Sequence, residues 1–223
     1  MTVAVKICGI KTPEALETAI GAGADYVGLV FFARSPRNLD LVTARKLRDH
    51  ARRLSPHVKV VALVVDETDE RLSDIAAEVD PDLFQLHGHE SLERVEAIRA
   101  KVGRALIKAV PVATRADVEA ARAYLAPGRL ADILLFDAKA PPGAVLPGGN
   151  GLTFDWHILD GIAPDVAFAL AGGLDPENVA AAAALTGASI LDVSSGVETA
   201  PGVKSTELIR RFIQRAKKAK ETA

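Results

Sequence analysis

The sequence predicts an α/β fold, a single-domain (β/α)8 TIM barrel of eight parallel strands that occupies residues 1–223. Eight short, β-branched-rich apolar runs alternate along the chain with alanine-rich, charge-studded segments of helical period. Alternation of this kind produces a parallel sheet. The strand count and the length of 223 residues favour a closed barrel over an open doubly wound sheet. No linker rich in Pro or Ser interrupts the pattern, which predicts one domain.

The apolar runs predict strands at 3–7, 25–32, 58–65, 83–87, 105–110, 131–136, 166–170 and 189–193. The clearest helices are predicted at 13–22, 41–54, 71–79, 93–102 and 116–125. About eight helices are expected in all, one after each strand. Thr12 before Pro13 is the N-cap and first-turn proline of the first of these helices, and Asp175 before Pro176 repeats the pattern.

The basic segment 204–220 predicts a final barrel helix rather than a membrane-binding helix. Its apolar side chains fall on one face and its basic side is expected in solvent. The apolar face consists of Leu208, Ile209, Phe212, Ile213 and Ala216.

The amino-acid composition excludes several classes of function. The formal charge of −2 provides no basic field for nucleic acid. No apolar run is long enough for a bilayer and the first residues do not resemble a signal peptide, so a cytoplasmic protein without a membrane partner is expected. One cysteine excludes a disulfide framework and a thiolate zinc site. A phosphorylated small molecule is a plausible ligand, and both a monomer and a homodimer are compatible with the sequence.

Cys8 ends the first predicted strand and precedes Gly9. In such barrels the site is built from loops at the carboxyl ends of the strands, so polar residues there are candidates. Alternation places Val3, Val5 and Ile7 toward the helices and turns Lys6 and Cys8 inward. Cys8 is then either buried filler or a reagent. Lys6 either favours its thiolate or belongs to an ion pair in the barrel floor.

Further polar residues end the fourth and sixth strands. Asp137 faces inward by alternation, although it could equally cap the next helix or pair with Lys139. Gln85 and His87 share one face, and both are candidate substrate-binding residues. The expected role of His87 is that of a hydrogen-bonded imidazole beside the site, and His89 is expected at the surface. No His, Asp and Glu cluster has metal-ligand spacing, so no metal is expected.

Two glycine-rich turns follow the last two strands. They are Ala171-Gly172-Gly173-Leu174 and Ser194-Ser195-Gly196-Val197. Barrels of this class often bind phosphate with the loops after strands seven and eight. Glycine lets backbone N–H groups approach an oxyanion, and serine adds hydroxyl donors. Ordinary tight turns are the alternative. The positions of these two turns, directly after the seventh and eighth predicted strands, favour a phosphate site at Gly172, Gly173, Ser194, Ser195 and Gly196.

Taken together, these motifs resemble the phosphoribosylanthranilate isomerase family of tryptophan biosynthesis. The opening Lys-Ile-Cys-Gly and the late Asp-Val-Ser-Ser-Gly-Val-Glu are highly specific as a pair, and the match runs from the first strand to the last. The blocks that carry it are 5–9, 23–25, 28–31, 35–37, 85–88, 136–137, 147–151, 171–174 and 191–198.

The resemblance implies an Amadori rearrangement of N-(5-phosphoribosyl)anthranilate to 1-(2-carboxyphenylamino)-1-deoxyribulose 5-phosphate, with no metal or other cofactor. It implies that Cys8 is the general base, that Asp137 is the general acid and that Arg37 binds the anthranilate carboxylate. The two glycine-rich turns would hold the phosphate. The loop 143–151, part of the longest irregular stretch 138–153, is expected to close over the substrate.

The chemistry supports these roles independently. Ring opening needs a proton on the furanose oxygen, and enolamine formation needs removal of the C2′ proton, so one acid and one base must flank the sugar. Strands one and six lie well apart around an eight-stranded barrel. A cysteine needs only a modest downward pKa shift to act as a base near neutrality.

Two alternatives stay open at this point. One is the histidine-pathway isomerase, a sugar-phosphate barrel of analogous chemistry that resembles a two-fold repeat with paired aspartates. Here only one phosphate-type pair of turns is visible, and the first strand ends in Cys8 rather than Asp. The other is a non-catalytic phosphate-binding barrel, which loss of Cys8 or Asp137 would favour, although both are present.

Overall fold

The structure is a computed structural model that describes residues 3–125, 128, 130–141, 143–144, 146–149, 151–162 and 167–219. Eight parallel strands form a closed barrel, each paired with the next along the chain, and the last pairs with the first. This confirms the predicted fold. The barrel strands are β1 Ala4–Cys8, β2 Tyr26–Phe31, β3 Lys59–Val64, β4 Leu83–Leu86, β5 Ala105–Val112, β6 Ile133–Ala138, β7 Phe168–Leu170 and β8 Ile190–Val193. Of the predicted strand 166–170, Val166 lies outside the described residues.

The described residues form seven α-helices, one fewer than expected. Between β6 and β7 the helical structure of the described residues is limited to a 3-10 turn, Trp156–Leu159. Two predicted helices end in a different helix type. The predicted helix 71–79 ends as a π-helix, Ile75–Val79, and the predicted helix 116–125 ends as a 3-10 turn, Arg122–Leu125. The helices are α1 Pro13–Gly21, α2 Leu41–Leu54, α3 Asp69–Asp74, α4 Leu92–Val102, α5 Arg115–Ala121, α6 Val179–Thr186 and α7 Thr206–Lys218.

Of the two helix caps that the sequence predicts, one is found in the structure and the other is not. The hydroxyl of Thr12 accepts from the backbone N–H of Ala15 at 3.3 Å, so this residue caps α1 as predicted. Asp175 does not cap α6. Its carboxylate accepts from the N–H groups of Glu177 and Asn178 in a turn, and the helix begins only at Val179.

Strand alternation sorts the core into two clusters. Val5 and Ile7 of β1, like Leu134 and Phe136 of β6, pack between the sheet and the helices. Leu135 and Ala169 belong to the cluster that fills the barrel interior. The predicted facing of β1 and β6 is therefore confirmed, and it turns Lys6, Cys8 and Asp137 inward.

The chain after β8 differs from the prediction. Glu198–Ala200 (β9) and Val203–Lys204 (β10) form a small antiparallel hairpin, and α7 begins two residues later than expected. The Lys204 side chain is only 2% exposed and lies 2.7 Å from Glu198. The expectation of a solvated basic side is therefore wrong for this residue, because the hairpin folds it back onto the barrel mouth. Lys220, the predicted helix end, lies outside the described residues.

Candidate active site

A cavity with about 790 Å³ of empty space opens at the carboxyl end of the barrel strands. Nine of the ten residues predicted for the site line it, and Gly196 is the exception. The nine are Cys8, Arg37, Gln85, His87, Asp137, Gly172, Gly173, Ser194 and Ser195. Barrel closure therefore brings together residues that are separated by more than half of the chain.

Cys8 lies at the end of β1, buried but lining the cavity. Its register partner on β2 is Gly28, where an added Cβ would lie 2.8 Å from the thiol sulfur. The glycine therefore makes room for the side chain. Burial raises the pKa of the Cys8 thiol, against the opposing charges of Lys6 and Lys204, and Asp192 adds to the rise. The downward pKa shift that a base near neutrality would need is not found, because desolvation of the thiolate outweighs the charges of its cationic neighbours.

Lys6 forms a buried ion pair with Asp192, with Nζ at 3.0 and 2.9 Å from the two carboxylate oxygens. The two residues are register partners on β1 and β8. Burial acts to lower the pKa of Lys6, but the charges of Asp192 and Cys8 outweigh it and the pKa is raised. Lys6 thus serves both roles that the sequence left open, as an ion-pair partner of Asp192 and as a cation whose charge acts to lower the thiol pKa.

Asp137 meets the fourth strand across the cavity. Its Oδ2 lies 3.1 Å from His87 Nε2, and its Oδ1 accepts from the N–H of Ala138 at 2.8 Å. On the far side of the imidazole, Gln85 Nε2 lies 3.1 Å from His87 Nδ1. The imidazole therefore bridges an amide and a carboxylate, as predicted for a hydrogen-bonded histidine. Within the described part of the chain, Asp137 neither caps a helix nor pairs with Lys139.

Arg37 is held by a residue that the sequence analysis did not single out. Its Nε and Nη2 donate to the two carboxylate oxygens of Glu198 at 2.8 and 2.9 Å. Lys204 donates to the same carboxylate and, at 2.8 Å, to the carbonyl of Ser194. Burial acts to raise the pKa of Glu198, but the hydrogen bond from Arg37 and the charge of Lys204 lower it. The only sequence signal was the position of Glu198 at the end of the last motif.

The two glycine-rich turns lie side by side at the cavity. Gly172 and Gly173 both have positive φ, at 86° and 61°. Ser194 donates to the carbonyl of Cys8 at 3.2 Å, which joins the ends of β8 and β1. Gly196 lies directly against the backbone carbonyl of Leu174, so it packs one turn against the other instead of lining the cavity.

The predicted loop 143–151 lies against the cavity, beside Asp137 and His87. Val145 and Asn150 of this loop are outside the described residues. Gly148 approaches so closely that an added Cβ would lie 2.5 Å from Asp137 Oδ2 and 2.6 Å from His87 Nε2. Leu146, Pro147, Gly148 and Gly149 all line the cavity. This loop therefore forms one wall of the site.

Comparison with known proteins identifies the family. A model of N-(5′-phosphoribosyl)anthranilate isomerase matches residues 5–215. The chain belongs to the phosphoribosylanthranilate isomerase family. A family member from Paramagnetospirillum magneticum is 52% identical over 97% of this chain and 98% of its own length. Another, from Rhodopseudomonas palustris, is 50% identical over the whole chain and 99% of its own.

Solved phosphoribosylanthranilate isomerase structures have the same architecture. One, in complex with reduced 1-(o-carboxyphenylamino)-1-deoxyribulose 5-phosphate, has a TM-score of 0.82 and 34% identity, covering 97% of this chain and 99% of its own. The Thermotoga maritima enzyme has a TM-score of 0.85 and 37% identity over the same shares. Members of this family isomerise a phosphorylated small molecule, N-(5′-phosphoribosyl)anthranilate, in tryptophan biosynthesis. The match sets aside the histidine-pathway alternative as the family of this chain.

Two further kinds of feature are absent from the part of the chain that the structure describes. No helix in the described ranges has the length and apolar character needed to cross a membrane. Among those same residues, no group of three or more His, Cys, Asp or Glu side chains is arranged to hold a metal ion.

Proposed function

We propose that this chain isomerises phosphoribosylanthranilate with Cys8 as general base and Asp137 as general acid. The observation that carries the proposal is that a thiol from β1 and a carboxylate from β6 line one cavity. Asp137 protonates the furanose oxygen, and the C1′–O bond opens as the anilino nitrogen forms the iminium. The Cys8 thiolate then removes the C2′ proton to give the enolamine, which tautomerises to the ketone.

The Arg37 guanidinium binds the anthranilate carboxylate in this proposal. Glu198 occupies its Nε–Nη2 edge, and no hydrogen bond donated by Nη1 is found among the described residues. The edge formed by Nη1 and the second hydrogen of Nη2 matches a carboxylate bidentately. That hydrogen at present meets only the carbonyl of Gly149, at 3.5 Å.

The turns after β7 and β8 hold the substrate phosphate in this proposal. Both turns line the same cavity as Cys8 and Asp137. Gly172 and Gly173 have positive φ, a backbone conformation that glycine adopts readily because it has no Cβ. The hydroxyls of Ser194 and Ser195 add donors.

The acid–base roles are tested with Cys8→Ala and Asp137→Asn. Each should lower kcat by roughly 10²-fold or more, because proton transfer by a positioned group contributes that much. Circular dichroism should show an intact barrel in both. Asp132→Asn, a carboxylate on the loop before β6, serves as the matched control. Wild-type turnover of phosphoribosylanthranilate by Cys8→Ala would exclude the thiol as base.

A second test concerns Arg37 and a third works in cells. Arg37→Ala should mainly raise KM, because it removes binding rather than proton transfer. An unchanged KM would contradict the carboxylate role. Complementation of a tryptophan-requiring strain that lacks this step should succeed with the wild-type chain and fail with Cys8→Ala, whereas a non-catalytic barrel would fail with both.

A further inference from the structure

Lys204 is a buried cation that the proposed mechanism does not use. Its side chain is only 2% exposed, and it is not among the described residues that line the cavity. Burial lowers the pKa of Lys204, although the negative charge of Glu198 opposes this shift. A buried cation costs free energy unless it is paired and hydrogen-bonded. The contacts of Lys204 therefore indicate what the charge is kept for.

Lys204 joins the first and last residues of the segment 194–198. Its Nζ donates to the carbonyl of Ser194 at 2.8 Å and to Glu198 Oε1 at 2.7 Å. It also lies 3.4 Å from Ser194 Oγ, so the three N–H groups of the ammonium have three acceptors. The backbone adds a longer hydrogen bond to the same carbonyl, from Val197 N–H at 3.4 Å. The shorter bonds across this segment are therefore those of Lys204.

The first of these two ends belongs to the half of the site proposed for the phosphate. Ser194 lines the cavity, and its hydroxyl donates to the carbonyl of Cys8 at 3.2 Å. In the same turn, Gly196 packs against the turn after β7. The carbonyl that Lys204 holds is therefore part of a rigid unit that contains both glycine-rich turns.

The second end belongs to the half of the site proposed for the anthranilate carboxylate. Glu198 Oε1 accepts from Lys204 and also from Arg37 Nε, the latter at 2.8 Å. The other oxygen of this carboxylate accepts from Arg37 Nη2 at 2.9 Å and from the N–H of Gly202 at 3.1 Å. Lys204 thus reaches the guanidinium through one shared carboxylate.

We propose that Lys204 is a positioning residue that fixes the distance between the two anion-binding ends of the site. The substrate carries a carboxylate at one end and a phosphate at the other. If Arg37 and Glu198 shift together, a separate carboxylate can follow them, but a substrate that is also anchored at its phosphate cannot. Lys204 therefore adds affinity for the intact substrate beyond what either end provides. The inference rests on the proposed roles of Arg37 and of the glycine-rich turns.

The test compares a ligand that has both ends with two ligands that have one each. The first is the reaction product, 1-(2-carboxyphenylamino)-1-deoxyribulose 5-phosphate, and the fragments are anthranilate and ribose 5-phosphate. Their inhibition constants are measured with the full-length wild type and with Lys204→Met. Loss of a positive charge weakens a fragment and the matching end of the product by the same factor. Multiplying the two fragment factors therefore removes this effect, and any excess loss for the product reports the placement of the ends.

Lys204→Met should raise the inhibition constant of the product about tenfold more than the two fragment factors multiplied together. KM for phosphoribosylanthranilate should rise with it, while kcat stays within about threefold of the wild type. A merely structural role would lower the amount of active protein, and hence the apparent kcat, without changing KM or the inhibition constants. A product loss equal to the multiplied fragment factors would overturn the proposal.

Two further variants guard against effects of folding and of charge. Lys217→Met is the matched control, because Lys217 pairs with Asp25 at 2.6 Å just before β2, at the opposite end of the barrel. It should behave as the wild type with all three ligands. Lys204→Gln keeps a donor for the buried Ser194 carbonyl and decides the question if Lys204→Met does not fold by circular dichroism. It should show a smaller excess of the same sign, and no excess would overturn the proposal.

A double-mutant cycle tests the path through the shared carboxylate. In the Glu198→Gln background the connection to Arg37 is already weakened, so Lys204→Met should add less than about threefold to the product loss. A full additional tenfold loss would overturn the path. Arg37→Ala separates this proposal from the function on which it rests. An unchanged inhibition constant of anthranilate in that variant would overturn the role of Arg37, whereas a raised one with no excess in Lys204→Met would overturn the role of Lys204 alone.

Discussion

Glu198 holds Arg37 by two parallel hydrogen bonds, from Nε at 2.8 Å and Nη2 at 2.9 Å, with both side chains almost completely buried. A paired guanidinium of this kind has lost most of its rotamer freedom before the ligand arrives. Lys204 donates to the same carboxylate at 2.7 Å, so one acidic group serves two cations. The pair therefore presents the free edge of Arg37 to the cavity in a fixed direction.

Loss of this pairing should weaken substrate binding more than the chemical step. Glu198→Gln keeps the size of the side chain but replaces one acceptor oxygen by a donor, so Arg37 should become mobile. We expect KM for phosphoribosylanthranilate to rise by about tenfold, the effect of one charge-assisted hydrogen bond, with kcat within about threefold of the wild type. Steady-state kinetics measure both. Glu177→Gln, which removes an exposed carboxylate bound to Arg211 and Arg215 on α7, is the matched control.

The Glu198 carboxylate should also make the free energy of unfolding depend on pH in the acid range. The pKa of Glu198 is lowered in the folded chain, because the hydrogen bond from Arg37 and the charge of Lys204 outweigh burial. A lowered folded-state pKa adds stability above the unfolded value of about 4.3, and that stability is lost as the pH falls through the folded pKa. Urea unfolding at pH 6 and pH 3 should therefore show a smaller acid loss for Glu198→Gln than for the wild type. Equal losses would contradict the shift.

The ionisation of Cys8 can be followed directly, since the chain has one cysteine. Burial raises the pKa of its thiol. Because the thiolate is the reactive form, alkylation by iodoacetamide should have its pH midpoint above that of the urea-unfolded chain, for which about 8.5 is expected. Turnover should rise with pH over the same range if the thiolate is the base. Cys8→Ala gives the background, and a folded midpoint at or below the unfolded one would show that the cations dominate.

The close approach of Gly148 predicts a steric probe of the acid. A methyl group at this position would lie 2.5 Å from Asp137 Oδ2 and 2.6 Å from His87 Nε2, so one of them must move. Gly148→Ala should lower kcat by about tenfold or more, since small displacements of a catalytic group are costly, while thermal unfolding stays near that of the wild type. Gly21→Ala is the control, because an added Cβ there meets nothing within 4 Å. An unchanged kcat would mean that the loop yields instead.

Local pattern was enough for the barrel and for the direction of its side chains. Short, β-branched-rich apolar runs placed all eight strands. Alternation along the strands turned Cys8 and Asp137 inward, because successive side chains on a strand face opposite sides. The capping of α1 by Thr12 is equally local. The residues that ended the strands were therefore candidates before any contact was known, and the sequence by itself determined the fold class and most of the site.

The tertiary structure decided the partners of those residues. Glu198 and Lys204 lie 161 and 167 positions from Arg37 along the chain. They come close to it because the hairpin after β8 folds over the barrel mouth. The sequence did not predict this hairpin, because Lys204 was assigned to the final helix. The thiol pKa also depended on closure, since burial from all sides outweighs the Lys6 charge that the sequence placed nearby. Hydrogen bonds and desolvation act over a few ångströms in space, and separation along the chain does not report such distances.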